Sequence, residues 1–339
     1  MHSIKSASLA LGIASACLLT TPTLADVNIY TTREPGLIKP LLEAFTAETG
    51  IAVNTVFVET GLPERVEAEG ASSPADILMA VDFGNLIDLV EKGVTQPIDS
   101  AVLAAAVPPQ LRDPDGNWVA LSLRARVLYA AADLDLGEFT YEELADPKWA
   151  GRICIRAGQH PYNTALFAAF LARHGAAETE AWLTSLKANL ARTAGGGDRD
   201  VARDILGGIC DIGPANSYYV GLMRSGAGGP EQVEWGEAIK VILPTFAGGG
   251  THVNVSGAAL AKNAPNKADA LKLLEFLVSD QGQELYADAN FEYPVKPGVP
   301  ANVIIAELGL LVPDTMPLTE IASHRKAASE LVDKVGFDN

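Results

Sequence analysis

Short apolar runs alternate along the chain with stretches in which apolar residues recur every three or four positions, a rhythm that predicts strands alternating with helices. Val27 to Tyr30 reads as a strand, and Leu37, Leu41, Leu42 and Phe45 as one face of a helix that stops at Gly50. Strand character resumes over Ile51 to Val58. Ala75 to Ala80 is a buried-strand run followed by a helix from about Phe83 to Lys92, ended by Gly93. Val119 to Ala131 is extended and apolar but carries Arg124 and Arg126, which strand alternation sends to the same face. A second series then opens. It predicts a strand from Arg152 to Arg156, helices near 164–174, 178–190 and 200–206, and a strand from Cys210 to Ala215. After Gly248-Gly249-Gly250 an extended run, Val253 to Leu260, leads into a helix over about Lys267 to Ser279. One α/β series, a longer second one and a return through an extended strand predict two α/β lobes joined by two crossing strands, with a ligand cleft between them.

The first 25 residues stand apart from this pattern. His2 and Lys5 precede an apolar run from Leu9 to Leu19, and Thr23-Leu24-Ala25 places small residues at a cleavage site, so 1–25 reads as a secretory signal peptide. No later run is long and apolar enough to anchor the mature chain in a bilayer. Of 339 residues, 42 are Asp or Glu and 25 are Lys or Arg, a net charge of -17 that disfavours nucleic acid and anionic membrane surfaces as partners. Of three cysteines, Cys17 falls in the signal, which leaves Cys154 and Cys210 in an oxidising compartment. They read as a disulfide, with two separate buried thiols as the alternative.

The motifs of common enzyme classes are missing: no G-x-S-x-G, no G-x-x-x-x-G-K-[ST], no H-E-x-x-H, and no G-x-G-x-x-G after a strand. Gly195-Gly196-Gly197-Asp198 lacks the lysine of a phosphate loop and reads as a turn before a helix. The most informative local feature is Asn216-Ser217-Tyr218-Tyr219, where a strand hands over to a helix that Asn216 or Ser217 would cap. At such a turn both phenols can reach one cleft, and phenolate oxygen is a hard ligand suited to a small, highly charged cation such as Fe(III). Ordinary packing also produces Tyr-Tyr pairs.

The wider pattern adds to this. Tyr30-Thr31-Thr32-Arg33, Ser73-Pro74-Ala75-Asp76, Arg124-Ala125-Arg126-Val127, Tyr162-Asn163, Gly196-Gly197-Asp198-Arg199-Asp200, the Tyr218-Tyr219 motif, Gly250-Thr251-His252-Val253-Asn254 and Glu292-Tyr293-Pro294-Val295 occur in order. In these segments the chain resembles the periplasmic ferric-iron-binding proteins of ABC importers, a bacterial transferrin-like group. The resemblance implies a class II two-lobed periplasmic binding protein that closes over Fe(III). The lobes would be 26–123 with 251–299 and 124–250 with 300–339. It further implies a monomer in the periplasm that is not an enzyme and that hands its ion to an inner-membrane ABC permease. Carried over by position, Tyr162, Tyr218 and Tyr219 match the phenolate ligands. Where many relatives have a histidine after the first strand stands Glu34, an additional candidate ligand or else a solvent-facing residue. Where others have a glutamate stands Val81. What remains resembles the three-tyrosine subgroup with a synergistic anion, carbonate or bicarbonate. Three phenolates already neutralise Fe(III), so such an anion needs cations, and Arg33 and Arg124 stand at the matched positions. Arg126 competes for that role. His160 reads as surface loop and His252 as part of the return strand. The alternative function is a carrier of a small oxyanion or polyamine without iron.

Overall fold

The computed structural model describes residues 26–339, so the signal segment lies outside the described residues. The strands are β1 (Val27–Thr31), β2 (Val53–Phe57), β3 (Ile77–Ala80), β4 (Thr95–Gln96), β5 (Trp118–Ala131), β6 (Ile212–Asn216), β7 (Ile239–Ile242), β8 (Val253–Ala261) and β9 (Tyr293–Pro294). Their order is β2-β1-β3-β8-β5-β6, with β4 beside β8 and both β7 and β9 beside β5. The parallel pairs β1·β2 and β1·β3 each need a crossover, and helices Pro35–Thr49 and Leu62–Glu69 supply them. Pro35 opens the first of these and Gly50, in the left-handed region at φ 74°, closes it.

β5 divides the molecule into two lobes. From Trp118 to Ala125 it pairs with β8, and from Arg126 onward with β6 and β7, so one strand leaves the first sheet and enters the second. Trp118 to Ala130 are all buried, as is the whole of β8, so both strands read as apolar runs rather than alternating ones. The Tyr141 hydroxyl staples the two crossings together: it donates to Arg126 O at 2.6 Å and accepts from His252 N at 3.1 Å. A third passage, after β9, carries the chain back to helices Val303–Ala306, Leu318–Ser323 and Arg325–Lys334. There Asp314 accepts from Gly250 N and pairs with Arg173.

Several local expectations change. The segment from Arg152 to Arg156 is not a strand, because only Ile153 forms bridges, to Leu190 and Ile212. Cys154 in this segment is bonded to Cys210, so the two thiols of the described chain form the disulfide. The helices expected near 164–174 and 178–190 are one run, Pro161–Ala188, broken by Gly175 at φ 78°. Neither Asn216 nor Ser217 caps the helix Tyr218–Arg224 with its side chain. Both side chains are taken by the hinge strand: Ser217 Oγ accepts from Ala125 N at 3.2 Å and Asn216 Oδ1 from Arg126 at 3.1 Å.

Two glycines receive side chains from the opposite lobe. Phe291, the left-handed cap of helix Asp280–Asn290, lies so close to Gly221 that a Cβ there would meet its ring at 2.2 Å. A Cβ on Gly84, in the first turn of helix Phe83–Glu91, would meet the Arg325 guanidinium at 2.4 Å.

Candidate metal centre

Tyr162, in the first turn of helix Pro161–Ala188, and Tyr218 and Tyr219, which open the helix after β6, come together although 56 residues separate the first two. The Tyr162 and Tyr218 hydroxyls are 3.2 Å apart, and the Tyr218 and Tyr219 rings lie with centroids 4.1 Å apart. All three side chains are half-buried. Burial pushes the Tyr218 phenol well above its ordinary value, and the Tyr162 and Tyr219 phenols add to this while Arg124 opposes it. Burial also raises Tyr219, with Tyr162 and Asp198 adding to it. Among the described residues, no three or more His, Cys, Asp or Glu side chains gather as a metal site. The phenol cluster is a hard-donor group of the kind that a small, highly charged cation takes.

A buried carboxylate network lies beneath the phenols. Asp198 accepts from Arg126 at 2.6 Å, from Arg156 at 3.2 Å and from Asn216 N at 2.8 Å, which ties β5 and β6 to the loop before Tyr162. Arg126 also donates to Asn163 at 2.6 Å, so both its terminal nitrogens are committed to structure and Nε alone is unpartnered. Arg156 lies 4.9 Å from the centre of the Tyr162 ring and Arg199 5.6 Å from that of Tyr219, both within cation–π range. His160 is not a free surface residue. It precedes Tyr162 at the helix start, its Nδ1 accepts from Tyr162 N at 3.2 Å, and its ring meets the Tyr162 ring edge-on at 4.5 Å. Burial, with Arg156 adding to it, lowers His160 to about 4.

Arg33 and Arg124 reach the same region from the first sheet. Arg124 is 1% exposed, sits 5.5 Å from the Tyr162 ring centre, and spends one nitrogen on Val255 O at 2.9 Å. Its Nε and Nη1 are buried without a partner, as is Arg33 Nε. Arg33 is less free than its position in the sequence suggests. It pairs with Glu292, donates to Asn290, and donates to Ser256 Oγ at 2.7 Å. Glu292 is itself 2% exposed. Burial works against its charge, but Arg33 and Arg124 prevail and lower it. Glu34 is exposed at the start of helix Pro35–Thr49 and makes no capping bond there. Sequence reasoning missed Asp198, Glu292 and Arg156. The signal for the first two was a set of arginines in apolar surroundings, which require buried counter-charges.

Residues 72–307 match a family described as bacterial extracellular solute-binding protein. The chain is 39% identical to iron uptake protein A1 of Synechocystis sp. over 92% of this chain and 87% of that protein. Among solved structures it is similar to the Bordetella ferric binding protein, at 64% identity and a TM-score of 0.90, over 93% of this chain and all of the other. It is also similar to a Trichodesmium protein solved with iron and citrate ligands, at 37% identity and a TM-score of 0.87, over 92% and 99% of the two chains.

Proposed function

The chain belongs to the family of bacterial extracellular solute-binding proteins, and from that premise we propose that it is a carrier of Fe(III). The observation that carries this reading is the convergence of Tyr162, Tyr218 and Tyr219 in a half-buried cluster at the junction of the lobes. Fe(III) is the cargo. Three phenols would release their protons to solvent on binding it, and the resulting phenolates would cancel its charge.

The unpartnered buried N–H groups of Arg124 and Arg33 fit an oxyanion. In this reading a carbonate or bicarbonate held by Arg33 and Arg124 supplies the oxygen donors that the protein lacks. Glu34, exposed and unbonded at its helix start, is a weaker candidate for that role. The two lobes, which part where β5 passes from β8 to β6 and β7 after Ala125, would close over the ion. The loaded monomer would deliver it in the periplasm to an inner-membrane ABC permease. Among the described residues no helix is long and apolar enough to cross a membrane.

A ferric titration with and without bicarbonate, read by the visible phenolate-to-iron band, tests the reading. A coloured one-to-one complex strengthened by bicarbonate is expected. In Arg124→Ala the bicarbonate effect should disappear while the weaker anion-free binding persists. A colourless protein that binds an oxyanion would instead support the second reading, an oxyanion carrier, which the same unpartnered arginine groups favour. A polyamine is disfavoured by those cations.

A further inference from the structure

Glu292 belongs to a sequence motif that the carrier function leaves unused. Its carboxylate lies against the arginines assigned to the anion. One oxygen takes Arg33. The other accepts from Ser122 Oγ on β5 and, at 3.0 Å, from Ser256 Oγ on β8. Ser256 also accepts from Arg33 at 2.7 Å, so both carboxylate oxygens are bonded while Arg33 Nε and two Arg124 nitrogens stay unpartnered beside them. Arg33, Arg124 and Glu292 are 6%, 1% and 2% exposed, so water screens their charges little. Two guanidiniums and one carboxylate leave a net charge of plus one on the first-sheet side of the pocket. The second-sheet side, with Arg126, Arg156 and Asp198, adds a further plus one that substitutions at Glu292 and Arg33 leave unchanged.

We infer that Glu292 tunes the charge of the anion this pocket accepts, shifting its preference away from a doubly charged oxyanion and toward a singly charged one such as bicarbonate or a monocarboxylate. The inference rests on the anion reading above. A residue that only braced Arg33 would affect all anions alike. A charge selector changes the ratio between anions of equal shape. With Glu292 neutralised the first-sheet side carries plus two, and the pocket turns toward dianions. Removing Arg33 and Glu292 together returns it to plus one.

Oxalate and oxamate are nearly the same shape and differ by one charge at neutral pH. Binding of each to the iron-free protein, measured by calorimetry, gives the ratio directly. Visible titration of the ferric protein with each anion checks that the same site is read. In Glu292→Gln the preference for oxalate over oxamate should rise by at least about tenfold, the change that about 1.4 kcal/mol of Coulomb energy produces. In the double variant Arg33→Gln with Glu292→Gln the ratio should return to near the wild-type value, although more of the network has been removed. Arg33→Gln alone should shift it the other way, and the difference between it and the double variant isolates the Glu292 charge if Glu292→Gln alone does not fold. An unchanged ratio in proteins that still bind both anions overturns the role of Glu292 and leaves the anion reading intact. A wild-type protein that binds neither anion, with or without iron, overturns the anion reading and this inference with it.

Discussion

Replacing Tyr218 with phenylalanine keeps the ring and removes one oxygen, which changes how many protons iron must displace. Free phenols are protonated at neutral pH, and here burial pushes Tyr218 well above its ordinary value and raises Tyr219 as well. Iron bound by three phenolates therefore expels three protons, and affinity is lost as pH falls. Each proton contributes a factor of about ten per pH unit, so three contribute about a thousandfold, or about 4 kcal/mol per unit. Tyr218→Phe should reduce this to two protons and about 2.7 kcal/mol per unit. Competition for iron against one chelator between pH 6 and 8 measures it, because the chelator's own protonation cancels when variant and wild type are compared. The two slopes should differ by about one decade per unit. Parallel lines would show that iron does not displace the Tyr218 proton and would remove Tyr218 from the ligand set, whatever the loss of absolute affinity.

Removing the Cys154–Cys210 bridge by alanine at both positions frees a loop of 56 residues, for which chain entropy gives a loss of about 4 kcal/mol. Calorimetry should show a clearly lower melting temperature with iron stoichiometry retained, and an unchanged midpoint would count against a stabilising bridge. Gly221→Ala should force the Phe291 ring and the helix carrying Tyr218 and Tyr219 apart, lowering iron affinity by at least about tenfold in the same competition assay. Adding Phe291→Ala should restore much of it, and no recovery would mean that the contact is not the cause. His252 is buried, and desolvation followed by Arg126 lowers it to about 3 from a value of 6.5. The unfolded chain therefore takes up the proton first. Stability is intact above pH 6.5 and falls as pH drops toward 3, with about 2 kcal/mol lost by pH 5. Urea midpoints at pH 7 and pH 5 should lie closer together in His252→Gln than in wild type, and equal separations would refute the assignment.

The elements legible in the sequence were those whose pattern is local. β1, β5 and β8 announce themselves as apolar runs because their residues are buried on both faces. Gly175 hid the continuity of Pro161–Ala188 because it does break the helical dihedrals. The segment around Ile153 has the composition of a strand, but it pairs at a single residue, and composition does not record that. The site divided along the same line. The phenols were found through a motif in which two of them are neighbours. Asp198 and Glu292 were not found, because their roles depend on partners 72 and 259 residues away. A carboxylate that neutralises a buried arginine looks, in sequence, like one facing solvent.

Each buried carboxylate sits on the same side of the cleft as the arginines it serves: Glu292 with Arg33 through strands of the first sheet, Asp198 with Arg126 and Arg156 through the second. Parting the lobes thus breaks none of the buried ion pairs and strands no uncompensated charge in an apolar interior. Among the described residues the pair that does cross the gap, Arg325 with Asp88 at 3.5 Å, is partly exposed at both ends, the kind of contact that water replaces at little cost. Ion pairs therefore do not hold the lobes together, and under the proposed function the grip would come from the cargo itself, the one highly charged body whose ligands and counter-ions would span both halves.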